Sequence, residues 1–206
     1  MKKTFYFFAA IMVAFMATAC GGNSTSQQQA LDETTEALTV DEVFESPDKY
    51  VGDTITLEGI CSHLCSQGGK KAFLQGNADN MQIRCEAYPL MGEPFPKSCI
   101  HHPMKVTGVF REQRIDNELV DQMESDYNER LQKIAEAHGE ETAQRAANAS
   151  VGCDTERAAQ GQQDLNTFKE RMDDYRTRIA ARQESEGKAY LSFYYLDAIS
   201  FETLEQ

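Results

Sequence analysis

The sequence has few basic residues and none of the short motifs that mark common catalytic sites. Its 206 residues include 20 Lys and Arg against 33 Asp and Glu, a formal charge of −13 at pH 7. Because contact with phosphates dominates the affinity of nucleic-acid-binding proteins, this charge argues against nucleic acid as a partner. The chain also lacks a Walker loop, a dinucleotide fingerprint and the patterns G-x-S-x-G and H-E-x-x-H. We therefore favour a binding protein over an enzyme.

A long apolar run lies at the N-terminus and has the composition of an export signal. Lys2 and Lys3 precede apolar residues 4–16, a run shorter than the ~20 residues needed to span a bilayer. The letters "ATAC", residues 17–20, resemble a bacterial lipobox, which implies cleavage before Cys20 and acylation of that cysteine. The same letters also fit an ordinary A-x-A cleavage site, which would leave Cys20 unmodified. Removal of residues 1–19, with their two lysines, makes the formal charge −15.

The lipobox resemblance implies a place in the cell envelope. Residues 20–37 begin with "CGGNSTSQQQA", which is small and polar, and we predict a flexible tether there. An acyl chain such as palmitate on Cys20 would hold the protein to a membrane, with the outer membrane favoured and the protein facing the periplasm. Since anionic lipid repels an acidic chain, membrane contact is expected through the lipid alone.

Alternation of apolar and polar residues predicts five β-strands. "VGDTITLEGICSH" places Ile55, Leu57, Gly59, Cys61 and His63 on one face. "KKAFLQG", "MQIRCEAY", "MKVTGVFREQ" and the aromatic-rich "KAYLSFYYLDAISFETL" predict the other four. Five strands with an irregular connection after the third are similar to an OB-fold barrel. Over residues 38–115 and 188–206 the chain resembles small exported bacterial OB-fold lipoproteins. This resemblance implies a fold and a location in the cell envelope, but it implies no reaction.

Two apolar stripes on otherwise charged segments predict helices between the fourth and fifth strands. The stripes are Leu119 or Val120, Met123, Tyr127, Leu131, Ile134 and His138, and then Leu165, Phe168, Met172, Tyr175 and Ile179. Their spacing favours two helices paired lengthwise over residues 116–138 and 164–186, joined by residues 139–163. The predicted fold is therefore α+β: a five-stranded OB-like β-barrel with an antiparallel helical hairpin, residues 116–187, inserted before the last strand. We expect the hairpin to contact a protein partner.

The stretch "CSHLC" contains candidate metal ligands. Cys61, His63 and Cys65 are thiol and imidazole groups, which suit zinc or copper. Cys99, and His101 or His102, from the loop after the third strand could complete the set. Alternate residues of a strand lie ~7 Å apart, so these ligands converge only if the chain turns at residues 63–65. A metal-binding protein is therefore one alternative function.

The same cysteines permit disulfides if the protein lies in an oxidising compartment. Candidate pairs are Cys61 with Cys85 and Cys65 with Cys99, which leaves Cys153 over. The inward-facing thiols can also be plain buried small hydrophobes. A thiol–disulfide redox protein is a further alternative, although such proteins use C-x-x-C and the spacing in "CSHLC" is one residue longer.

Overall fold

The computed structural model describes residues 36–65, 68–77, 81–88, 90–149 and 152–204. The predicted α+β fold is confirmed, with a closed five-stranded barrel and helices inserted before its last strand. The predicted signal peptide, Cys20 and most of the tether lie outside the described residues. Within the described part of the chain, no helix is long and apolar enough to cross a bilayer.

Five strands form the barrel, and a short strand, β1 (Leu38–Thr39), pairs in parallel with the first of them. The barrel pairs its strands in the order β2-β3-β4-β6-β5, and β5 returns to β2 to close it. Only β4 and β6 are parallel to each other among these neighbours. This Greek-key order makes the barrel OB-like. The strands are β2 (Thr54–Leu64), β3 (Lys71–Gln75), β4 (Gln82–Glu86), β5 (Pro103–Asp116) and β6 (Tyr190–Thr203).

Apolar side chains from all five barrel strands meet in one buried core inside the barrel. A short helix, α1 (Val40–Glu45), adds Val40 and Val43 to that core. Thr39 and Glu42 begin this helix with a capping box, and Pro47 follows it at the start of a 3-10 turn. The buried strand residues of the core are Ile55, Leu57, Cys61, Leu64, Ala72, Leu74, Ile83, Cys85, Met104, Val106, Phe110, Leu196 and Ala198.

Over its described residues, which leave out 150 and 151, the insertion contains four helices, two more than were predicted. The long helices are α2 (Asn117–His138) and α5 (Phe168–Glu186), close to their expected bounds. The segment between them, predicted as a plain connection over residues 139–163, contains α3 (Glu140–Ala147) and α4 (Asp154–Ala159). α5 starts at Phe168 because Thr167 forms a capping box with Glu170.

The predicted helical hairpin fits in outline, with the two long helices paired over part of their length. Arg176 of α5 binds Glu124 of α2 at 2.7 Å, and the rings of Tyr127 and Phe168 stack with centroids 4.0 Å apart. Beyond Tyr127, α2 is covered by α3, because the chain reverses at Gly139, whose φ of 87° suits glycine. No side chain between Val120 and Ala143 is fully buried.

The insertion packs on an extension of the β5–β6 ladder through a second apolar cluster. β5 and β6 stay paired to their ends, where Asp116 lies opposite Tyr190, so the insertion leaves and rejoins the barrel at neighbouring positions. The buried members of the cluster are Ile115, Val120, Met172, Tyr175, Ile179 and Leu191.

Candidate functional site

A cavity of about 230 Å³ lies between the barrel wall and the inserted helices. Phe44 of α1 lies at its edge. The barrel side is formed by Phe73, Gln82, Arg84, Ser192, Phe193 and Tyr194. The insertion side is formed by Glu156, Ala159, Gln160, Gly161 and Arg178.

Phe73 is the most enclosed aromatic side chain of this cavity. Its neighbours in β3, Ala72 and Leu74, belong to the barrel core, so strand alternation directs Phe73 to the outer face. It is nevertheless 0% exposed. An aromatic side chain on the outer wall is thus hidden beneath the insertion, which makes the β3–β4 face an internal surface of the protein.

Glu156 of α4 joins the insertion to this face of the barrel. Its Oε1 accepts hydrogen bonds from Lys71 Nζ at 3.0 Å and from Arg84 Nη1 at 2.9 Å. The Arg84 guanidinium also lies over the Tyr195 ring, 5.0 Å from its centroid. Arg84 Nε lies 2.8 Å from Glu86 Oε1, which makes an ion pair without the alignment of a hydrogen bond. One carboxylate therefore holds two cations from adjacent strands.

The environment of Glu156 favours its ionised form. Burial by itself would raise the pKa of this carboxyl, but the hydrogen bond from Lys71 and the charges of Lys71 and Arg84 outweigh it. The pKa of Glu156 therefore lies below its ordinary value of 4.5. A carboxyl with a lowered pKa stabilises the folded state above pH 4.5, and this contribution is lost as the pH falls through the folded pKa.

We expect Glu156→Gln to lower the free energy of unfolding by about 2 kcal/mol at pH 7, because two charged hydrogen bonds are weakened in a half-buried site. The loss should shrink as the pH falls below 4.5, where the wild-type carboxylate becomes protonated. Urea unfolding at pH 7 and pH 3 measures both effects. Glu202→Gln, at an exposed position of β6, is the matched control and should change little. A loss that is equal at both pH values would contradict the ion-pair account.

Polar contacts fix the loop between α4 and α5 that forms part of the cavity wall. Gln160 Oε1 accepts hydrogen bonds from Arg171 Nη2 at 2.8 Å and Tyr175 OH at 2.7 Å. Its carbonyl accepts one from Arg178 Nη1 at 2.8 Å. Gln162 is only 1% exposed and donates to the Arg171 carbonyl. These buried contacts give the cavity a rigid side.

Sequence reasoning did not find this cavity. Arg84 occupies a polar position of a strand that was predicted, and its burial arises from a partner 72 residues later in the chain. Glu156 lies within residues 139–163, which the sequence predicts to be a plain connection. Its charged neighbours were interpreted as solvent-exposed. The one local signal of the cavity was a charged residue, Arg84, within a regular strand. This signal does not show which residue pairs with Arg84.

Three of the predicted site cysteines lie in the barrel core. Cys61, Cys85 and Cys99 are each 0% exposed. Burial raises the pKa of Cys61 to about 11 and raises that of Cys85 as well. Such thiols are poor nucleophiles at neutral pH. β3 lies between β2 and β4, so Cys61 and Cys85 are not on adjacent strands, and the pairs named from the sequence stay predictions.

His63 does not share a face with Cys61, which corrects the alternation expected for β2. The pairing with β3 shifts between these two residues, so Leu64 follows Cys61 into the core. The His63 ring instead lies 5.9 Å from the Phe73 ring. Its buried Nε2 has no hydrogen-bond partner in the described residues.

The loop expected to complete a metal site does reach β2, but through its backbone. The His101 amide donates to the Cys61 carbonyl at 2.7 Å, and the side chain of His101 is exposed. Cys65 is half-buried at the end of the strand. Over the ranges that the structure describes, no three His, Cys, Asp or Glu residues form a group that could hold a metal ion. Metal binding stays a prediction, and the metal content of the purified protein measures it.

Comparison with models of known protein families and with curated proteins found no match to the chain.

Proposed function

We propose that this chain is a lipid-anchored, non-enzymatic binding protein of the cell envelope, and that its ligand is a small neutral ring compound held in the cavity. The observation that carries the ligand site is the partly open, aromatic-lined cavity between the β3–β4 face and the insertion. In OB-folds this face and the connection before the last strand are common binding surfaces. Here the insertion itself forms that connection and leaves a small, partly open cavity against the barrel.

The size of the cavity limits the ligand to a few rings. A cavity of ~150 Å³ in an apolar core can hold benzene. A volume of about 230 Å³ therefore suits a bicyclic compound rather than an oligomer or a cofactor of nucleotide size. The rings of the half-buried Phe193 and Tyr194 offer surfaces on which a planar ligand can stack.

The polar groups favour a ligand without net charge. Arg84 is paired with Glu156, and Arg178 lies 3.2 Å from Asp174. Since both cations of the lining already have carboxylate partners, a charged ligand would have to displace one of them. Gln82 and Ser192 supply uncharged groups that can hydrogen-bond the edge of a ring.

The lining offers little for acid–base or nucleophilic chemistry, which supports a non-enzymatic function. None of the described residues that line the cavity is a cysteine or a histidine. Its one carboxyl, Glu156, has a lowered pKa and is engaged with two cations, whereas a general acid or base at neutral pH needs a pKa near 7.

A substitution that fills the cavity tests this proposal. Ala159 faces the cavity from α4, so Ala159→Trp should occupy it with an indole ring. We expect indole or adenine, used as probes, to bind residues 20–206 carrying Cys20→Ser with a Kd of ~1 mM or below, measured by calorimetry. Ala159→Trp should abolish binding, whereas Gln163→Trp at an exposed position should retain it. Equal binding by both variants, or no binding of either probe to the parent protein, would count against the ligand site.

The anchor is supported by the sequence around Cys20 and has its own test. We expect the full chain, expressed in a bacterium, to enter the detergent phase when membranes are extracted and phase-separated. Cys20→Ser should move it to the aqueous phase because the acyl chains provide the membrane affinity. Cys65→Ser is the matched control and should leave the partition unchanged. Aqueous wild-type protein would contradict the anchor.

Binding of a protein partner at the tip of the insertion, the part of α2 beyond Tyr127 together with α3, is a second candidate function. Side chains of α2 and α3 that are half-buried or exposed, among them Leu131, Ala135 and Ala147, line a groove between these two helices. The tip extends beyond the part of α2 that pairs with α5. A groove of mixed apolar and polar residues on a charged helical pair supports the predicted partner contact. The metal-binding and thiol–disulfide alternatives have no comparable support among the described residues.

A further inference from the structure

We infer that Cys65 and Cys153 form an intramolecular disulfide that ties the insertion to the barrel. The sequence offers Cys65 with Cys99 as one candidate pair, which leaves Cys153 without a partner. Cys99 is buried in the barrel core. The structure instead brings the connection after β2 and the start of α4 to the same residue, Lys71.

Lys71 contacts the segments that carry both cysteines. The amide of Cys65 donates to the Lys71 carbonyl at 2.9 Å. The Lys71 side chain binds Glu156 at 3.0 Å, and the amide of Glu156 donates to Cys153 Sγ at 3.3 Å. Cys153 is the N-cap of α4, so its sulfur points back toward the first turn of that helix. Lys71 thus contacts the Cys65 backbone directly and reaches, through Glu156, the first turn of the helix that Cys153 caps.

Electrostatics agree with this proximity. Burial raises the pKa of the Cys153 thiol, and the hydrogen bond from the Glu156 amide lowers it. The charges of Glu156 and of a Cys65 thiolate raise this pKa further, and the charge of Lys71 lowers it. The influence of Cys65 and Lys71 on this thiol is consistent with the contacts of Lys71, since charge effects in water fade over ~10 Å.

Solvent access separates this pair from the other described cysteines. Cys65 and Cys153 are half-buried, whereas Cys61, Cys85 and Cys99 are fully buried in the barrel core. All five are thiols in this structure. A soluble oxidant therefore reaches the pair first. Both cysteines also lie at the ends of elements rather than within them, where the backbone can adjust to the geometry of a disulfide.

The reaction is thiol–disulfide exchange with a small disulfide, for which oxidised glutathione is the probe. One protein thiol loses its proton, and the thiolate attacks a glutathione sulfur, giving a mixed disulfide and releasing one glutathione as a thiol. The second protein thiolate attacks the protein sulfur of the mixed disulfide and releases the other glutathione. Two electrons pass from the protein to the oxidant, and the two protons end on the released thiols. In the cell the reaction needs the oxidising compartment of the proposed envelope location.

Peptide mapping tests the bond directly. Residues 20–206 with Cys20→Ser are oxidised with glutathione disulfide, alkylated at low pH and digested with trypsin without reduction. We expect residues 50–70 linked to residues 146–157. Because residues 50–70 contain both Cys61 and Cys65, the Cys61→Ser variant should keep the link and Cys65→Ser should lose it. Cys153→Ser should also lose it, and serine, a good N-cap, preserves the start of α4.

The stability of the oxidised protein gives a second readout. A bond across so long a loop should raise Tm by about 10 °C over the reduced protein, and Cys153→Ser should remove that difference. A folded protein whose residues 146–157 stay alkylated, or are linked through Cys61 or to a second chain, would overturn the inference. Indole and adenine binding is measured on the reduced protein, so failure of the disulfide and failure of the ligand site are separate results.

Discussion

Gly108→Ala is expected to lower the free energy of unfolding by about 3 kcal/mol, one of the largest losses from a single methyl group in this chain. Gly108 is a buried residue of β5, next to a shift in the β5–β6 pairing. A Cβ there would lie 2.3 Å from the Asp197 carbonyl oxygen and 2.8 Å from Leu196 Cγ. The Asp197 carbonyl belongs to the backbone of a paired strand and cannot yield without disturbing the ladder.

Equilibrium unfolding in urea measures this effect. Gly187→Ala is the matched control, since Gly187 ends α5 with a φ of 72° and a Cβ there would have no atom within 4 Å. The control should cost only about 1 kcal/mol, from the backbone conformation alone. If Gly108→Ala were no worse than the control, the close approach of β5 and β6 at this point would be wrong.

Replacing residues 115–191 by an Asn-Gly turn is expected to leave a folded barrel that no longer binds the ring probes. Arg114 lies opposite Ser192 in the β5–β6 ladder, and a two-residue Asn-Gly turn suits such a position. The excision removes the second apolar cluster whole, including Ile115 and Leu191. It exposes Phe73 and Phe193, which should lower the free energy of unfolding by about 4 kcal/mol at ~2 kcal/mol for each ring.

Circular dichroism and urea unfolding report whether the shortened chain still unfolds cooperatively, and calorimetry with indole and adenine reports binding. The same protein serves a pull-down that compares partners with those of the full chain, which tests the tip of the insertion. Loss of cooperative unfolding would mean that the helices are part of the barrel's folding unit rather than an insertion. Probe binding by the shortened barrel would locate the ligand elsewhere.

Local patterns predicted the elements of this fold because each depends on neighbours in the sequence. The alternation of β2 holds from Ile55 to Cys61, and the long helices follow their apolar stripes. The shift before His63 has no local mark, since one extra residue in a strand changes the face without changing the composition. α4 has six residues, too few for a periodic pattern to appear.

The cavity could not be predicted for a different reason. Its wall depends on which helix lies over β3 and β4, and that is decided by Glu156 with Lys71 and Arg84, residues far apart in the chain. The polarity of each residue is visible in the sequence. The pairing is a property of the assembled structure, as is the burial of Phe73 on the outer face of its strand.

The position of the insertion at the end of the β5–β6 ladder also bears on the order of folding. Asp116 and Tyr190 pair only after residues 117–189 have brought their ends together, and closing so long a flexible loop costs entropy. α2 and α5 form an antiparallel pair whose contacts close a shorter loop, 52 residues between Glu124 and Arg176, and whose ends lie beside those two residues. If this helical pair forms early in folding, it places β6 beside β5 in the alignment that the two strands have in the folded barrel. The insertion would then act during folding as a clamp for the last strand, and substitutions in its apolar cluster would slow barrel closure.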